Sequence, residues 1–322
     1  MVATLWVLAG LTVLAGYIHS VTTTSVERAT VARVGLQREL DRRNTETTLI
    51  YLLATNRKSH RALILQPEQS FGEFDLPSAD APEVALAGET YAGLGDVLFA
   101  IQDESGLVPV NSPVYPMLRA ALETVGVSRA NATRLISRAK DYVDTDDLPT
   151  LNGGERYEYS RRGLPPPPNW LMATPMELEQ VQGFSDLVTR DQWQRLRGML
   201  TMRQATSPNF NTMPADIVRA VLDDQAAADI LALRASGSVV RTLPYGGFAD
   251  VMDDIELRMR VSDRLRIATW SPGTAQRVVG IQLTAYTDGS AWRKDYSYTA
   301  PRHQDPTGSP ERPVVPETAL LH

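Results

Sequence analysis

The chain has 322 residues, and its hydrophobic fraction of 43% is large enough to bury a sizeable core, with about two domains expected from the length. The formal net charge of -6 argues against a nucleic-acid partner, because a surface that neutralises phosphates needs a basic excess. The lack of cysteine excludes disulfides and thiolate metal sites, so oxygen ligands are the first to consider for a bound metal.

The first residues predict a membrane span. Residues 1–18 (MVATLWVLAGLTVLAGYI) carry no charge, and the first ionised side chain after them is Glu27. About 18 consecutive apolar residues mark a helix that can cross a bilayer. A cleaved secretory signal is the alternative, but it needs a basic start and a small-x-small cleavage site, which residues 15–17 (AGY) match poorly. The sequence therefore favours a retained span.

The helical pattern continues beyond the span. Apolar residues recur at roughly helical spacing from Val26 to Leu53 among arginines and glutamates, and no glycine or proline interrupts them before Gly35. One long helix is predicted, apolar in its first half and amphipathic in its second.

This start resembles the N-terminal helix of type IV pilin-like proteins, and residues 2–16 (VATLWVLAGLTVLAG) are most similar to the K-type minor pseudopilin family of type II secretion. Most pilins carry glutamate as the fifth mature residue, whereas Leu5 or a neighbour stands there in this chain, as in the K-type family. The family's short basic leader ending in glycine does not precede Met1, so the chain is expected to be written as the mature form or from a late start codon.

The middle of the chain predicts a repeated helical unit. Residues 67–94 read as loop, and residues 98–101 as a strand entering a turn at 103–106. Residues 111–122 (NSPVYPMLRAAL) then match residues 211–222 (NTMPADIVRAVL), which indicates an internal duplication. Each copy is expected to begin a helix with an Asn-Ser/Thr cap and a proline, and further helices follow at 130–143 and 226–235. Helix-hairpin-helix DNA binding is an alternative interpretation of such paired helices, and the acidity of the chain argues against it.

An acidic segment lies between the two copies. Six carboxylates fall within residues 141–158, namely Asp141, Asp144, Asp146, Asp147, Glu155 and Glu158. Carboxylates held this close repel each other, and a hard divalent cation relieves that repulsion. The spacing imitates an EF-hand loop, but Leu148 and Pro149 replace the fifth ligand and the required glycine, which excludes that geometry. From the residues alone, a solvated acidic turn is at least as expected as a metal site.

The resemblance to the K-type family extends through this segment. The family's Asp-x-Asp turn, Gly-x-Glu, tyrosine, Pro-rich piece with asparagine and Glu-Leu before Val-x-Gly correspond here to residues 144–146, 153–155, 159, 165–169 and 177–183. The family's helical domain binds calcium through this acidic loop. The resemblance therefore implies a Ca²⁺ site built from Asp144, Asp146 and Glu155, with Asp147 as a further candidate.

The C-terminal third predicts strands. Apolar and charged residues alternate over 255–261 and 265–267, and a further alternating run covers 279–285. Asp288-Gly289 marks a hairpin turn into a strand at 292–298, and residues 301–322 read as a disordered tail. Together these strands fit an antiparallel sheet packed on the amphipathic half of the first helix.

No residue pattern supports catalysis. The four histidines, His19, His60, His303 and His322, share no segment with a nucleophile, and the chain has no Gly-x-Ser-x-Gly elbow, phosphate-binding loop or zinc-protease motif. The chain is therefore not expected to be an enzyme.

These observations predict an α+β, pilin-like fold, a long N-terminal helix packed on an antiparallel sheet, with an inserted all-α domain of two related helical modules. The expected limits are 1–22 for the transmembrane part of the helix, 23–111 for its remainder and the first part of the head, 112–236 for the inserted domain, 237–300 for the C-terminal sheet and 301–322 for the tail.

The resemblance implies a minor pseudopilin that caps the tip of the periplasmic pseudopilus and helps to initiate its assembly. The implied location is the inner membrane, single-pass, with the head in the periplasm. The implied partners are the I- and J-type minor pseudopilins, then the H-type and major pseudopilins, with the prepilin peptidase for processing. The alternative function is a stand-alone, membrane-anchored, calcium-dependent periplasmic binding protein.

Overall fold

The computed structural model describes residues 2–65, 82–111, 115–204, 207–243, 257–284 and 289–301. The helices and strands follow the chain in this order: α1 Val2–Thr55, β1 Ala62–Ile64, β2 Glu83–Ala85, β3 Ala87–Ala92, β4 Leu98–Asp103, β5 Val108–Pro109, α2 Tyr115–Thr124, α3 Arg129–Val143, α4 Arg156–Arg161, α5 Phe184–Leu187, α6 Arg190–Met199, β6 Leu200–Thr201, α7 Ala215–Val221, α8 Asp224–Ala235, β7 Arg264–Trp270, β8 Gln276–Leu283 and β9 Trp292–Ala300. Short 3₁₀ turns cover Glu104–Gly106 and Pro175–Gln180.

Helix α1 is continuous over 54 residues, as predicted, which corresponds to a length of about 80 Å. Its apolar first half contains an 18-residue window with a mean hydropathy of 1.7, none of it buried, which is long and apolar enough to cross a membrane. Burial begins only near the end of the helix, where Leu49, Leu52 and Leu53 pack into the core of the sheet. Most of the helix is therefore a stem without intramolecular cover.

A five-stranded antiparallel sheet, in the order β3-β4-β7-β8-β9, packs on the end of α1. Ile101 of β4 pairs with Ile267 of β7, which pairs with Val279 of β8, and all three side chains lie in the core shared with α1. The alternation of the strands thus buries one face against the helix. The α+β, pilin-like fold class predicted from the sequence is confirmed.

The helices α2 to α8 are inserted between two strands that are neighbours in the sheet. Strands β4 and β7 pair along six residues, although α2 to α8 separate them in the chain. These helices have a hydrophobic core of their own, which includes Leu118, Leu135, Leu196 and Ile217. The predicted limits of the inserted domain, 112–236, remain a prediction.

The two copies of the duplicated motif adopt the same local structure. Asn111 donates to the carbonyl of Met172 at 2.7 Å and accepts from its N–H at 3.1 Å, while Asn211 makes the same pair of bonds with Val240 at 3.2 and 2.7 Å. Each asparagine therefore bridges one backbone residue of a distant segment. Helix α2 begins within the first copy and α3 follows it, and α7 begins within the second copy and α8 follows it, as predicted.

The predicted hydroxyl cap of the second copy is wrong. Helix α7 follows Pro214, which has no side chain able to accept a hydrogen bond, while Thr212 donates its hydroxyl to Asp103 at 2.9 Å instead. A buried carboxylate therefore takes the hydroxyl that the local pattern assigned to the helix. The corresponding residues of the first copy, 112–114, lie outside the described residues.

Two strand predictions also need correction. Part of the predicted loop 67–94 is ordered as β2 and β3, whereas its residues 67–81 lie outside the described residues. The predicted strand 255–261 shows no strand where it is described: Leu257 packs against the core of the helices and Val261 against the core of the sheet. The apolar residues of this segment alternate with polar ones because the segment passes from one core to the other and contributes apolar side chains to both. The predicted hairpin turn at 288 and the tail 302–322 fall on undescribed residues, whereas β9 confirms the strand predicted at 292–298.

Asp103, at the end of β4, joins the sheet to the inserted helices. Its carboxylate is fully buried and accepts six hydrogen bonds, three on each oxygen. The donors are the N–H and hydroxyl groups of Ser105 and Ser262, the amide of Asn209 and the hydroxyl of Thr212. Burying a carboxylate is costly unless such bonds replace its hydration, so all these segments must meet for the fold to form.

The next residue, Glu104, adds a second buried connection. Thr201 donates to Glu104 at 3.1 Å, and Tyr296 of β9 donates to its other oxygen. Arg266 of β7 lies beside this carboxylate, 3.9 Å from it, and donates to the carbonyls of Gly198 and Leu200. Adjacent acids on one strand end therefore hold the helical insert against the sheet.

Replacing Asp103 tests this connection. In Asp103→Asn the amide nitrogen cannot accept the three bonds now made to one oxygen, so we expect the free energy of unfolding to fall by about 3 kcal/mol or more. Chemical denaturation of the full chain in detergent measures the change. The control Asp186→Asn removes only an ion pair with Arg162 at an exposed carboxylate and should cost at most about 1 kcal/mol. Equal losses in both variants would contradict the proposed role.

Candidate metal centre

Three carboxylates meet where α3 ends and α4 begins. Asp141 lies in the last turn of α3, Asp144 is its C-cap, and Glu155 is the N-cap of α4. One oxygen from each carboxylate lies within 4.8 Å of the others. The loop 145–154 thus brings Glu155 back beside the end of α3 and completes a cluster of three carboxylates.

Asp141 organises this loop from inside. It is fully buried, and its Oδ2 accepts from the N–H groups of Thr150 at 2.9 Å and Gly154 at 2.8 Å. A side chain at Gly153 would collide with the same carboxylate, so the loop closes only with glycine there. The second oxygen, Oδ1, is buried without a hydrogen-bond partner.

Glu155 and Asp144 present further unsatisfied oxygens. Both oxygens of Glu155 and Oδ1 of Asp144 are buried without a hydrogen-bond partner, and Glu155 is only 3% exposed. Burial, reinforced by the charges of Asp141 and Asp144, raises the pKa of Glu155 from 4.5 to about 7. Burial and the neighbouring Asp146 and Asp141 also raise the pKa of Asp144. Burying such carboxylates without hydrogen-bond partners lowers the stability of the fold unless a cation or a proton neutralises their charge.

Two neutral side chains border the cluster. Asn169 donates to the carbonyl of Asp146 at 3.0 Å, and its own side-chain oxygen is buried without a partner. Burial, together with the charges of Asp144 and Asp141, raises the pKa of Tyr115, so its phenol keeps its proton beside the acids. Asn169 is therefore a further oxygen donor attached to the acidic loop.

The predicted metal residues divide into two pairs. The structure brings Asp144 and Glu155 together, and it adds Asp141, which the sequence interpretation noted but did not select. Asp146 and Asp147 are exposed; Asp146 accepts from the N–H of Leu148 at 2.8 Å. The signal for Asp141 was its position one helical turn before Asp144, which places both side chains on one face of α3. A direct role for Asp146 and Asp147 remains a prediction.

The residues fit a hard cation. Ca²⁺ takes six to eight oxygen ligands in flexible geometry, and the buried carboxylate oxygens without partners are of that chemistry. Asp141, Asp144 and Glu155 would hold the ion, whose charge would offset their mutual repulsion. Asn169 supplies a neutral oxygen nearby.

A stem helix packed on an antiparallel sheet, with helices and an acidic centre inserted between neighbouring strands, defines a pilin-like fold with an enlarged head. Residues 98–205, which include all three clustered carboxylates, match the family model described as type II secretion system (T2SS), protein K. The resemblance to the K-type family noted in the sequence is thereby confirmed over this region.

The fold also aligns with a solved structure. A chain of the GspK-GspI-GspJ complex from the type 2 secretion system of enterotoxigenic Escherichia coli is 16% identical, with 86% of this chain and 99% of that chain covered and a TM-score of 0.49. No curated protein sequence matches the chain.

The raised pKa of Glu155 predicts a pH dependence of the metal-free chain. Between pH 4.5 and about 7 the folded state keeps a proton that the unfolded state has lost, so the stability from this group falls as the pH rises through that window. In the Glu155→Gln variant the free energy of unfolding should fall less over this pH window. Urea unfolding with a chelator at pH 5 and pH 8 measures it, with the exposed Glu123→Gln as control. The free energy of unfolding of the unmodified chain could instead rise between pH 5 and pH 8, and by as much as that of the Glu155→Gln variant. That result would contradict the expected effect.

Proposed function

We propose that this chain is the K-type minor pseudopilin of a type II secretion system, that it caps the tip of the periplasmic pseudopilus and that it helps to initiate pseudopilus assembly for protein export. The observation that carries the proposal is the protein K match over residues 98–205, which contain the acidic centre. The proposed location is the inner membrane, single-pass, with the head in the periplasm. The expected partners are the I- and J-type subunits.

The stem supports this function. Large apolar residues of α1 beyond the predicted transmembrane part, such as Val26, Val31 and Val34, are between 45% and 73% exposed. A helix with apolar residues uncovered along its length needs either lipid or other helices as cover. A membrane provides that cover before assembly, and the helices of neighbouring subunits provide it in a filament.

The enlarged head supports the tip position. The helices α2 to α8 add a second hydrophobic core to the sheet, and the bonds of Asp103 and Glu104 hold this mass in place. Such bulk on one face of a pilin-like head leaves little room for another subunit above it. The lack of a glutamate at Leu5 or its neighbours agrees with this position, because that glutamate is proposed to contact a neighbour above, and a subunit at the tip has none.

Within this function we propose that the acidic centre binds Ca²⁺ as a structural ion. Asp141 holds the loop through Thr150 and Gly154, Asp144 ends α3, and Glu155 begins α4, so the ion would link two helices and the loop between them. The alternative, a stand-alone calcium-dependent binding protein, uses the same centre without a filament. Recovery with other pseudopilins therefore discriminates between the two functions.

Assembly is tested by co-purification. We expect the tagged full chain in detergent to recover the I- and J-type subunits of its own secretion system when they are produced together. Val34→Lys should lower the recovery severalfold because it places a charge among apolar residues of the stem, whereas Arg33→Lys, which keeps the charge beside it, should not. A stable single chain that never recovers either subunit would favour the stand-alone function.

Calcium binding is tested by thermal unfolding. At a calcium concentration of about 100 times Kd the melting temperature of the full chain should rise by about 5 °C over that in chelator. Asp141→Asn, Asp144→Asn and Glu155→Gln should remove most of this rise, whereas the control Glu123→Gln should retain it. Asp146→Asn and Asp147→Asn show whether these exposed acids complete the ligand set. An unchanged melting temperature for the unmodified chain would exclude the site.

A further inference from the structure

A cleft with a volume of about 570 Å³ lies outside the acidic centre, between the Pro-rich segment that follows α4 and the start of β7. Trp170 and Leu171 form one wall, and Arg203, Asp263 and Arg264 form the other. None of the hydrogen bonds that tether the insert to the sheet uses the guanidinium of Arg203. Arg203 therefore has no part in the connection between insert and sheet, although Asn111 and Met172, which also line the cleft, carry the backbone bridge described above.

The apolar wall is exposed and held in place. Trp170 is 73% exposed and Leu171 is 37% exposed. They lie between Asn169, which is bonded to the acidic loop, and Met172, whose N–H and carbonyl are both bonded to Asn111. The backbone on each side of Trp170 is thus held by hydrogen bonds, and tryptophan and arginine are enriched among the residues that dominate interfaces.

The lining also carries a cation, Arg203, that has no counterion within the part of the chain that the structure describes. Across the described part of the chain, the guanidinium of Arg203 makes no hydrogen bond or ion pair, and its Nη1 is buried. Arg264 is instead paired with Asp295 at 3.4 Å, and Asp263 accepts from Gln282 at 3.0 Å. Burial, followed by the charge of Arg258, lowers the pKa of Arg203 despite the opposing charge of Asp263. The surroundings of this guanidinium therefore favour an added anion.

We propose that this cleft is a docking site for an acidic and apolar segment of a partner protein, with a carboxylate of that segment on Arg203 and an apolar neighbour on Trp170. Charge complementarity selects the acidic group, and the exposed indole selects the apolar one. The net charge of -6 disfavours a nucleic acid as the occupant. The proposal does not depend on membership of a pseudopilus.

The test uses the full chain in detergent and two labelled, terminally blocked peptides, one alternating leucine with glutamate and one alternating leucine with glutamine. Fluorescence anisotropy should show saturable binding of the glutamate peptide, at least about tenfold tighter than that of the glutamine peptide. Arg203→Gln and Trp170→Ala should each weaken it about tenfold, and Arg203→Lys should restore part of the affinity. Arg219→Gln, which removes an exposed arginine bonded to Asp216, is the matched control.

Several outcomes would overturn the proposal. These are no saturable binding, equal affinity for the two peptides, equal affinity of the Arg203→Gln and Arg219→Gln chains, or tighter binding of a single-stranded oligonucleotide than of the glutamate peptide. Circular dichroism and the denaturation midpoint of each variant separate a loss of binding from a loss of folding. Because the assay contains no other pseudopilin, a negative result leaves the co-purification experiment to decide the proposed function separately.

Discussion

The carboxylate of Asp103 has no access to water, and six donors from the protein replace its hydration. The donors come from the turn after β4, from Asn209 and Thr212 at the start of the second copy of the duplicated motif or just before it, and from the segment before β7. The end of β4, the segment before α7 and the segment before β7 thus meet around one carboxylate charge. The position of the inserted helices relative to the sheet, and with it the position of the acidic centre, depends on this contact and on the neighbouring Glu104.

Periodicity in the sequence was sufficient for the long helix, the last strands and the paired helices, because each of these carries a long apolar run or a regular apolar pattern. The duplication was visible because Asn111 and Asn211 perform the same backbone bridge and the surrounding residues repeat. Asp103 gave no such signal, since its donor Ser262 is 159 residues away in the chain. The hydroxyl of Thr212 was assigned to a local cap for the same reason: sequence spacing does not reveal distant acceptors.

In the acidic centre, too, some residues were predicted from the sequence and others were not. Family resemblance identified Asp144 and Glu155, which flank the loop as the caps of α3 and α4. Asp141 was left out because a single aspartate inside an amphipathic helix resembles a surface residue, whereas the structure buries it completely. The short strands β2 and β3 escaped prediction because glycine and acidic residues interrupt their apolar pattern. The Pro-rich piece adds the exposed Trp170, whose position depends on bonds to Asn111 and the acidic loop.

The stem has a mechanical consequence. If the apolar first half of α1 occupies a bilayer to about residue 22, then 22 further residues of uninterrupted helix precede Thr45, the first buried residue of α1. At 1.5 Å per residue this places the packed head about 35 Å above the membrane surface. The described chain has no turn or proline within that span, so an axial displacement of the stem moves the head by the same distance. A stem of this length would hold the head clear of the lipid headgroups, where other proteins could reach it.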